Sequence, residues 1–535
     1  MRKIVRSDPF PSRCRRTRPR AAVNRATPRR ATATLLWLSA ALVVLALPPW
    51  LTAGRNPLHI DEASWAYVAG TSLATGQPLY AVGHENKLPG IFWLYQAVGA
   101  VDEATIGHAR AAEGLMVLVT ALLLLWWLGR EVGPGAGATA GALYALGAAF
   151  AQGPRALTEV PLALGTTAGV CLAWYATRRG CFWYLPVCGV ALGLAATFKQ
   201  TAIFDLAAVL LLVACLARGE SRFRPLLAAS GVLLGFGVVL GAELLYMVLT
   251  RQLAEFGQAA LLSFLDPAST LSAPWAQRPG RLIAFVRDLY PPLAVPMFLA
   301  VLGLTATAGE QQRLRWWGGV WLVAGGLAFL SAGTLYDHQA VQFLPPLALL
   351  AGLGWAGLGE RLGPTPRWRP LAGAALVLLT FTQLADTYQR AVHANLRNLA
   401  APPVTTEAQW GRWLAEVLAP EDSLYVTGNA LAVYLHSGRR APTRWVYSWL
   451  ITDRLRPRVL RDLAQHPPAA VVLSGGYKPE QAALTEAVRA WLVPAGYRRA
   501  QPPLPGDYEL YLRPDRLDRA LAAGATGPPA LPPTR

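Results

Sequence analysis

Apolar stretches long enough to cross a bilayer recur along this chain as far as residue 386, and no other feature constrains the fold as strongly. A hydrocarbon core about 30 Å thick requires roughly 20 mostly apolar residues per helix. Eleven segments read as such spans, at about 33–53, 108–129, 135–153, 157–177, 181–198, 201–217, 225–249, 290–308, 316–334, 340–358 and 369–386. The division at Lys199 is the least sharp of these. Composition agrees: 53% of the residues are hydrophobic and 15% charged, against roughly 45–50% and about 25% in an ordinary soluble domain.

The net charge of +18 does not point to nucleic acid. Lys and Arg sit in short runs between the apolar stretches instead of along one amphipathic face, which is the pattern of topology-setting charge. Arg130, Arg178 with Arg179, Arg218 to Arg224, Arg313 with Arg315, and Arg361 to Arg369 all fall on one side if the Arg-rich N-terminus is cytoplasmic. An odd number of spans then puts the chain after Leu384 on the opposite, extracytoplasmic side. Five cysteines show no CxxC or Cys/His grouping and four lie within apolar segments, so neither a zinc site nor a disulfide framework is expected.

The expected organisation is a basic, disordered cytoplasmic tail over 1–32, a membrane domain over 33–387 with a long first outer loop at 54–107, an extracytoplasmic α/β domain over 388–514 and a disordered tail over 515–535. The α/β reading rests on helical spacing in Thr405 to Leu418 and Pro479 to Leu492, and on short strand-like runs at Ser423–Thr427, Ala469–Leu473 and Tyr508–Leu512. The Gly135 to Ala140 segment matches GxGxxA, but no strand precedes it and it opens a membrane helix. Its small residues read as a helix-packing surface.

Asp61 and Glu62 stand side by side where the chain leaves the first span. A carboxylate partly removed from water becomes a better proton acceptor for an alcohol, whereas the alternative is that either residue caps a short helix. Lys87, ahead of an apolar amphipathic stretch, lies where a lipid phosphate would be, and equally where an interfacial lysine snorkels to ordinary phospholipid. Arg155 with Glu159, Lys199 with Gln200, and Tyr336-Asp337-His338-Gln339 interrupt the spans near their outer ends. Each alone is an ordinary boundary marker, but all three are expected on one membrane face. Asp205 and Glu243 lie within spans and read as paired structural charges.

In their order along the chain these residues resemble the GT-C membrane glycosyltransferases of the protein O-mannosyltransferase and lipid A aminoarabinose transferase type, including the bacterial galacturonosyltransferase-like branch. The resemblance runs through Asp61-Glu62, Gly76-Gln77-Pro78-Leu79-Tyr80, Lys87-Leu88-Pro89-Gly90, Thr158-Glu159-Val160-Pro161, Thr197-Phe198-Lys199-Gln200, Tyr336-Asp337-His338 and Phe343-Leu344-Pro345-Pro346. It departs from the family pattern at Leu88 and Gln339. It implies a polytopic α-helical membrane protein that transfers a hexosyl or pentosyl group from a polyprenyl-phosphate carrier to a lipid, glycan or protein acceptor of the cell envelope. Asp61 and Glu62 are then the catalytic pair, with the choice of base between them open. Lys87, Lys199 and Arg155 would hold the donor phosphate, while Glu159, His338, Tyr336 and His84 are candidates for substrate or metal. No cofactor is assigned, although Glu, His and phosphate oxygens together could hold a divalent cation. The implied compartment is the bacterial inner membrane. The competing reading is a transporter or flippase for a lipid-linked sugar, against which stands the absence of an internal sequence repeat.

Overall fold

The computed structural model describes residues 28–216, 224–262, 278–305, 309–331, 334–361, 388–475 and 479–525. Ten of the expected spans fall on helices: Pro28–Ala46, Ile106–Glu131, Pro134–Ala151, Glu159–Arg179, Tyr184–Phe198, Ala202–Leu216, Arg224–Leu249, Arg278–Leu304, Gly309–Ser331 and Leu344–Arg361. The eleventh expected span, 369–386, and the expected tail over 1–27 lie outside the described residues. Residues 28–32, expected in that tail, already belong to the first helix.

Among the described residues five elements are long and apolar enough to cross a membrane by themselves: Ala31–Arg55, Ile106–Glu131, Glu159–Arg179, Pro225–Leu249 and Asp337–Leu358. Tyr184–Phe198 and Ala202–Leu216 are apolar but have 15 residues each, because the helix breaks where Lys199 takes an extended conformation. At 1.5 Å per residue each covers about 22 Å, short of the hydrocarbon core. Large apolar side chains such as Trp37, Leu227 and Leu249 project outward with more than two thirds of their surface exposed. So much outward apolar surface suits lipid and not water. The chain is a polytopic helical membrane protein.

Glycines let several helices approach to backbone contact. A Cβ on Gly303 would strike the Leu350 carbonyl, and one on Gly354 would strike the Leu299 carbonyl, so Arg278–Leu304 and Leu344–Arg361 lock together through reciprocal glycines. In the discarded GxGxxA segment, a Cβ on Gly137 would meet the Leu125 carbonyl, which is the packing role its composition suggested. Gly354→Ala is expected to cost about 1–3 kcal/mol through overpacking. The readout is a lower thermal midpoint in detergent, with Gly357→Ala, whose Cβ would meet open space, as the unaffected control.

One end of the bundle is covered by the first loop and the C-terminal domain. Within the loop, Ile60–Thr75 is nucleated by a capping box in which the His59 imidazole accepts from the turn while Glu62 accepts from the His59 N–H, and it stops at Gly76 with φ +70°. Gly90–Ala97 packs beside it. The C-terminal domain carries a four-stranded sheet of β1 (Leu424–Val426), β2 (Ala470–Leu473), β3 (Arg498–Ala500) and β4 (Glu509–Leu512), in the order β1-β2-β4-β3. β1 and β2 are parallel, with Leu424 opposite Ala470, and β4 is antiparallel to both its neighbours. Trp65, Tyr80 and Phe92 of the loop share one apolar core with Trp410, Leu431 and Leu510 of the sheet domain.

Three expectations need correction. The sheet domain does not end at 514: Pro514–Ala522 is helical, buries Ala520 and is tied to Asp422 by both arms of the Arg516 guanidinium at 2.7 and 2.9 Å. Asp205 has no ion-pair partner among the described residues but accepts from the Trp321 indole at 2.8 Å and the Gln342 amide at 3.0 Å. Cys181 is disulfide-bonded, a bond that the reading against a disulfide framework did not foresee, while Cys171, Cys188 and Cys215 are free thiols.

Candidate active site

Where the bundle meets the loop and the sheet domain lies a cavity of about 670 Å³. Of the nine residues singled out from the sequence, seven line it: Asp61, Lys87, Arg155, Glu159, Lys199, Tyr336 and His338. They come from five places in the chain, and helix boundaries deliver most of them. Asp61 is in the first turn of Ile60–Thr75, Glu159 opens Glu159–Arg179, and Lys199 caps the end of Tyr184–Phe198. His338 stands in the 3-10 turn Asp337–Phe343, which is fixed to the bundle where Gln342 bonds Asp205 and Thr201.

Glu62 and His84 are not among the lining residues. The Glu62 side chain is wholly buried. Its Oε1 accepts from Arg110 Nε at 2.9 Å and the Ala156 N–H at 2.8 Å, and its Oε2 from Arg110 Nη2 at 2.6 Å and the His59 N–H at 3.0 Å. Burial pushes this carboxyl up, but the charge and hydrogen bonds of Arg110 outweigh that and leave it below its ordinary value. With four donors on two oxygens, Glu62 has no free site for a proton from substrate. His84 is buried against Trp445 with ring centroids 4.9 Å apart, and burial together with the nearby Arg444 pushes it down to about 3. It packs the sheet domain onto the loop.

Asp61 is different. Tyr447 donates to its Oδ1 at 2.8 Å, and about a fifth of its side chain remains exposed. Two of the three expected phosphate ligands, Lys87 and Arg155, reach the cavity without a carboxylate in ion-pair range among the described residues. The third, Lys199, is 2.7 Å from Glu159 Oε1, and His338 Nε2 lies 3.9 Å from the same oxygen. Among the described residues no group of three or more His, Cys, Asp or Glu is arranged to hold a metal. The Lys199 ammonium occupies the Glu159 oxygen that such a cation would use.

Several lining residues escaped the sequence reading. Asn86 and Gln152 lie beside identified positions, and adjacency could have suggested them. Tyr447 and Trp449 come from the sheet domain, and nothing in Trp445-Val446-Tyr447-Ser448-Trp449-Leu450 marks them as cavity residues. Glu85, buried next to the lining residue Asn86, accepts from Ser64 Oγ at 3.1 Å and the Asn86 N–H at 2.9 Å. Burial pushes its carboxyl up to about 7, against the pull of Lys87.

The arrangement has the fold of the GT-C membrane glycosyltransferases. The structure of ArnT from Cupriavidus metallidurans bound to undecaprenyl phosphate superposes with a TM-score of 0.60 at 15% identity, covering 91% of this chain and 98% of that one. The apo state of the same protein gives 0.63 at 16% identity, covering 94% and 100%. The oligosaccharyltransferase AglB from Archaeoglobus fulgidus, in complex with an inhibitory peptide and a dolichol-phosphate, gives 0.52 at 12% identity, covering 90% of this chain and 74% of that one. No family model and no curated protein matches the sequence.

Proposed function

We propose that this protein is a glycosyltransferase that moves a sugar from a polyprenyl-phosphate carrier to an envelope acceptor within this cavity. The observation that carries the reading is a carboxylate, Asp61, whose second oxygen accepts no hydrogen bond among the described residues, sharing the cavity with Lys87 and Arg155, neither of which has a carboxylate in ion-pair range among the described residues. A polyprenyl phosphate is already a competent leaving group, so the protein has two tasks: to take the acceptor's proton and to balance charge on the departing phosphate.

Asp61 takes the proton from the acceptor hydroxyl as its oxygen bonds to the anomeric carbon. The bond from that carbon to the phosphate oxygen breaks, and the electron pair leaves with the polyprenyl phosphate. Lys87 and Arg155 stabilise the released charge, while Lys199 and Glu159 form a neutral pair beside them. A single displacement of this kind inverts the anomeric configuration. The lipids bound in the two similar structures, undecaprenyl phosphate in ArnT and a dolichol-phosphate in AglB, are of the donor class invoked here. The compartment that fits this donor is the bacterial inner membrane, with the N-terminus cytoplasmic and the sheet domain and cavity on the extracytoplasmic side.

The test offers purified protein a panel of hexosyl and pentosyl polyprenyl phosphates with a crude envelope extract, and follows release of free polyprenyl phosphate. Release that requires the extract, with a product of inverted configuration, is expected. A retained configuration would sink the single displacement, and no release from any donor would turn the reading toward transport.

A further inference from the structure

The sheet domain reaches across 386 residues of sequence to touch Asp61, and it does so with a group of defined chemistry. We infer that Tyr447 is a positioning residue for Asp61, holding one carboxylate oxygen so that the other is presented to the acceptor hydroxyl. The inference rests on the reading of Asp61 as the base.

The two Asp61 oxygens are in different situations. Oδ1 accepts from the Tyr447 hydroxyl at 2.8 Å. Oδ2 lies 3.6 Å from His59 Nδ1, too far for a hydrogen bond. That nitrogen also has its lone pair committed, since it accepts from the Asp61 N–H at 3.3 Å and so has no proton to offer. Among the described residues Oδ2 accepts no hydrogen bond, and it is the oxygen left for substrate.

The phenol is well suited to fixing the other one. Tyr447 is 5% exposed, and burial followed by the nearby Asp61 charge pushes its ionisation well above the ordinary tyrosine value, so it stays a donor. Its ring lies nearly parallel to Trp449, 6.2 Å between centroids at 18°. The adjoining residues are anchored in the sheet domain: Ser448 Oγ accepts from the Gly428 N–H at 3.0 Å, and the Trp445 indole donates to Asp462 at 2.6 Å. The position of the hydroxyl is thus set by the domain and not by the membrane helices. A carboxylate at a helix start has free rotation about its terminal bond, and a rigid donor on one oxygen removes it.

Tyr447→Phe removes the hydroxyl and keeps the ring. In the purified protein without substrate, the infrared difference between wild type and Tyr447→Phe is expected to contain a displaced carboxylate stretch. The same substitution made in an Asp61→Asn background should move no carboxylate band. In turnover assays kcat should fall about tenfold, in line with losing one hydrogen bond to a charged group, with KM for the donor unchanged. An identical difference spectrum in both backgrounds, or a change in KM alone, would overturn the inference. Because the spectroscopic arm needs no turnover, its failure is distinct from failure of the reading beneath it, which would appear as Asp61→Asn releasing polyprenyl phosphate as fast as wild type.

Discussion

Asp61→Asn is expected to lower polyprenyl phosphate release by about 10²–10⁴-fold, the range typical of losing a positioned general base, in a protein that remains folded. Asparagine matches aspartate in shape and keeps a carbonyl oxygen for the Tyr447 hydroxyl, but it cannot take a proton at neutral pH. Three nearby carboxylates are not placed to substitute. Glu62 has both oxygens saturated by Arg110, His59 and Ala156, and Glu159 is held by Lys199. Glu85 is buried and does not line the cavity. The check is the rate of release by wild type and variant at matched thermal midpoints. Equal rates would remove Asp61 as the base, and a variant that fails to fold in detergent would contradict the claim that the side chain serves chemistry and not structure.

The membrane half of the fold was legible because each span announces itself by length and apolarity, a local property that needs no tertiary context. The seven lining residues were legible for a related reason. They sit where apolar segments begin or end, and a charge at such a boundary stands out against its surroundings. What could not be read was anything depending on direction or on distant contact. Asp61 and Glu62 are adjacent in sequence, yet successive helical residues point about 100° apart, so one faces the cavity and the other faces Arg110. Tyr447 lies in an apolar run that looks like any buried segment, and only the docking of the sheet domain on the first loop gives it a partner. The Pro514–Ala522 helix was hidden by the Ala- and Pro-rich composition that follows it, although its Arg516 reaches back to Asp422 across 94 residues. β3 has three residues, two of them exposed arginines, and draws its strand identity from pairing with β4.

Arg110→Ala is expected to cost at least about 3–5 kcal/mol, the range for breaking one side of a buried ion pair. The guanidinium has five N–H donors and all are used: two on the Glu62 carboxylate and one each on the carbonyls of Ala53, Asn56 and Pro57. Through these bonds a single side chain on the Ile106–Glu131 helix fixes the end of the first helical segment and the turn that presents Asp61. Glu62 carries the tie onward to the Ala156 N–H beside Arg155. Removing Arg110 leaves a wholly buried carboxylate unpaired and three carbonyls without this donor. Arg110→Lys should recover only part of the loss, because an ammonium has three donors and cannot span a carboxylate in bidentate fashion. Glu62→Leu combined with Arg110→Met should be milder than Arg110→Ala, since no charge is then stranded. The measurement is the thermal midpoint of the three variants in detergent, and a midpoint for Arg110→Ala equal to wild type would refute the account. The sign of the pH dependence follows from the same pair. The folded Glu62 carboxyl lies below its ordinary 4.5, so its contribution is complete above that pH and is lost as the pH falls through the lower folded value. The first loop should therefore loosen on acidification in the wild type, and the doubly apolar variant should lose that sensitivity.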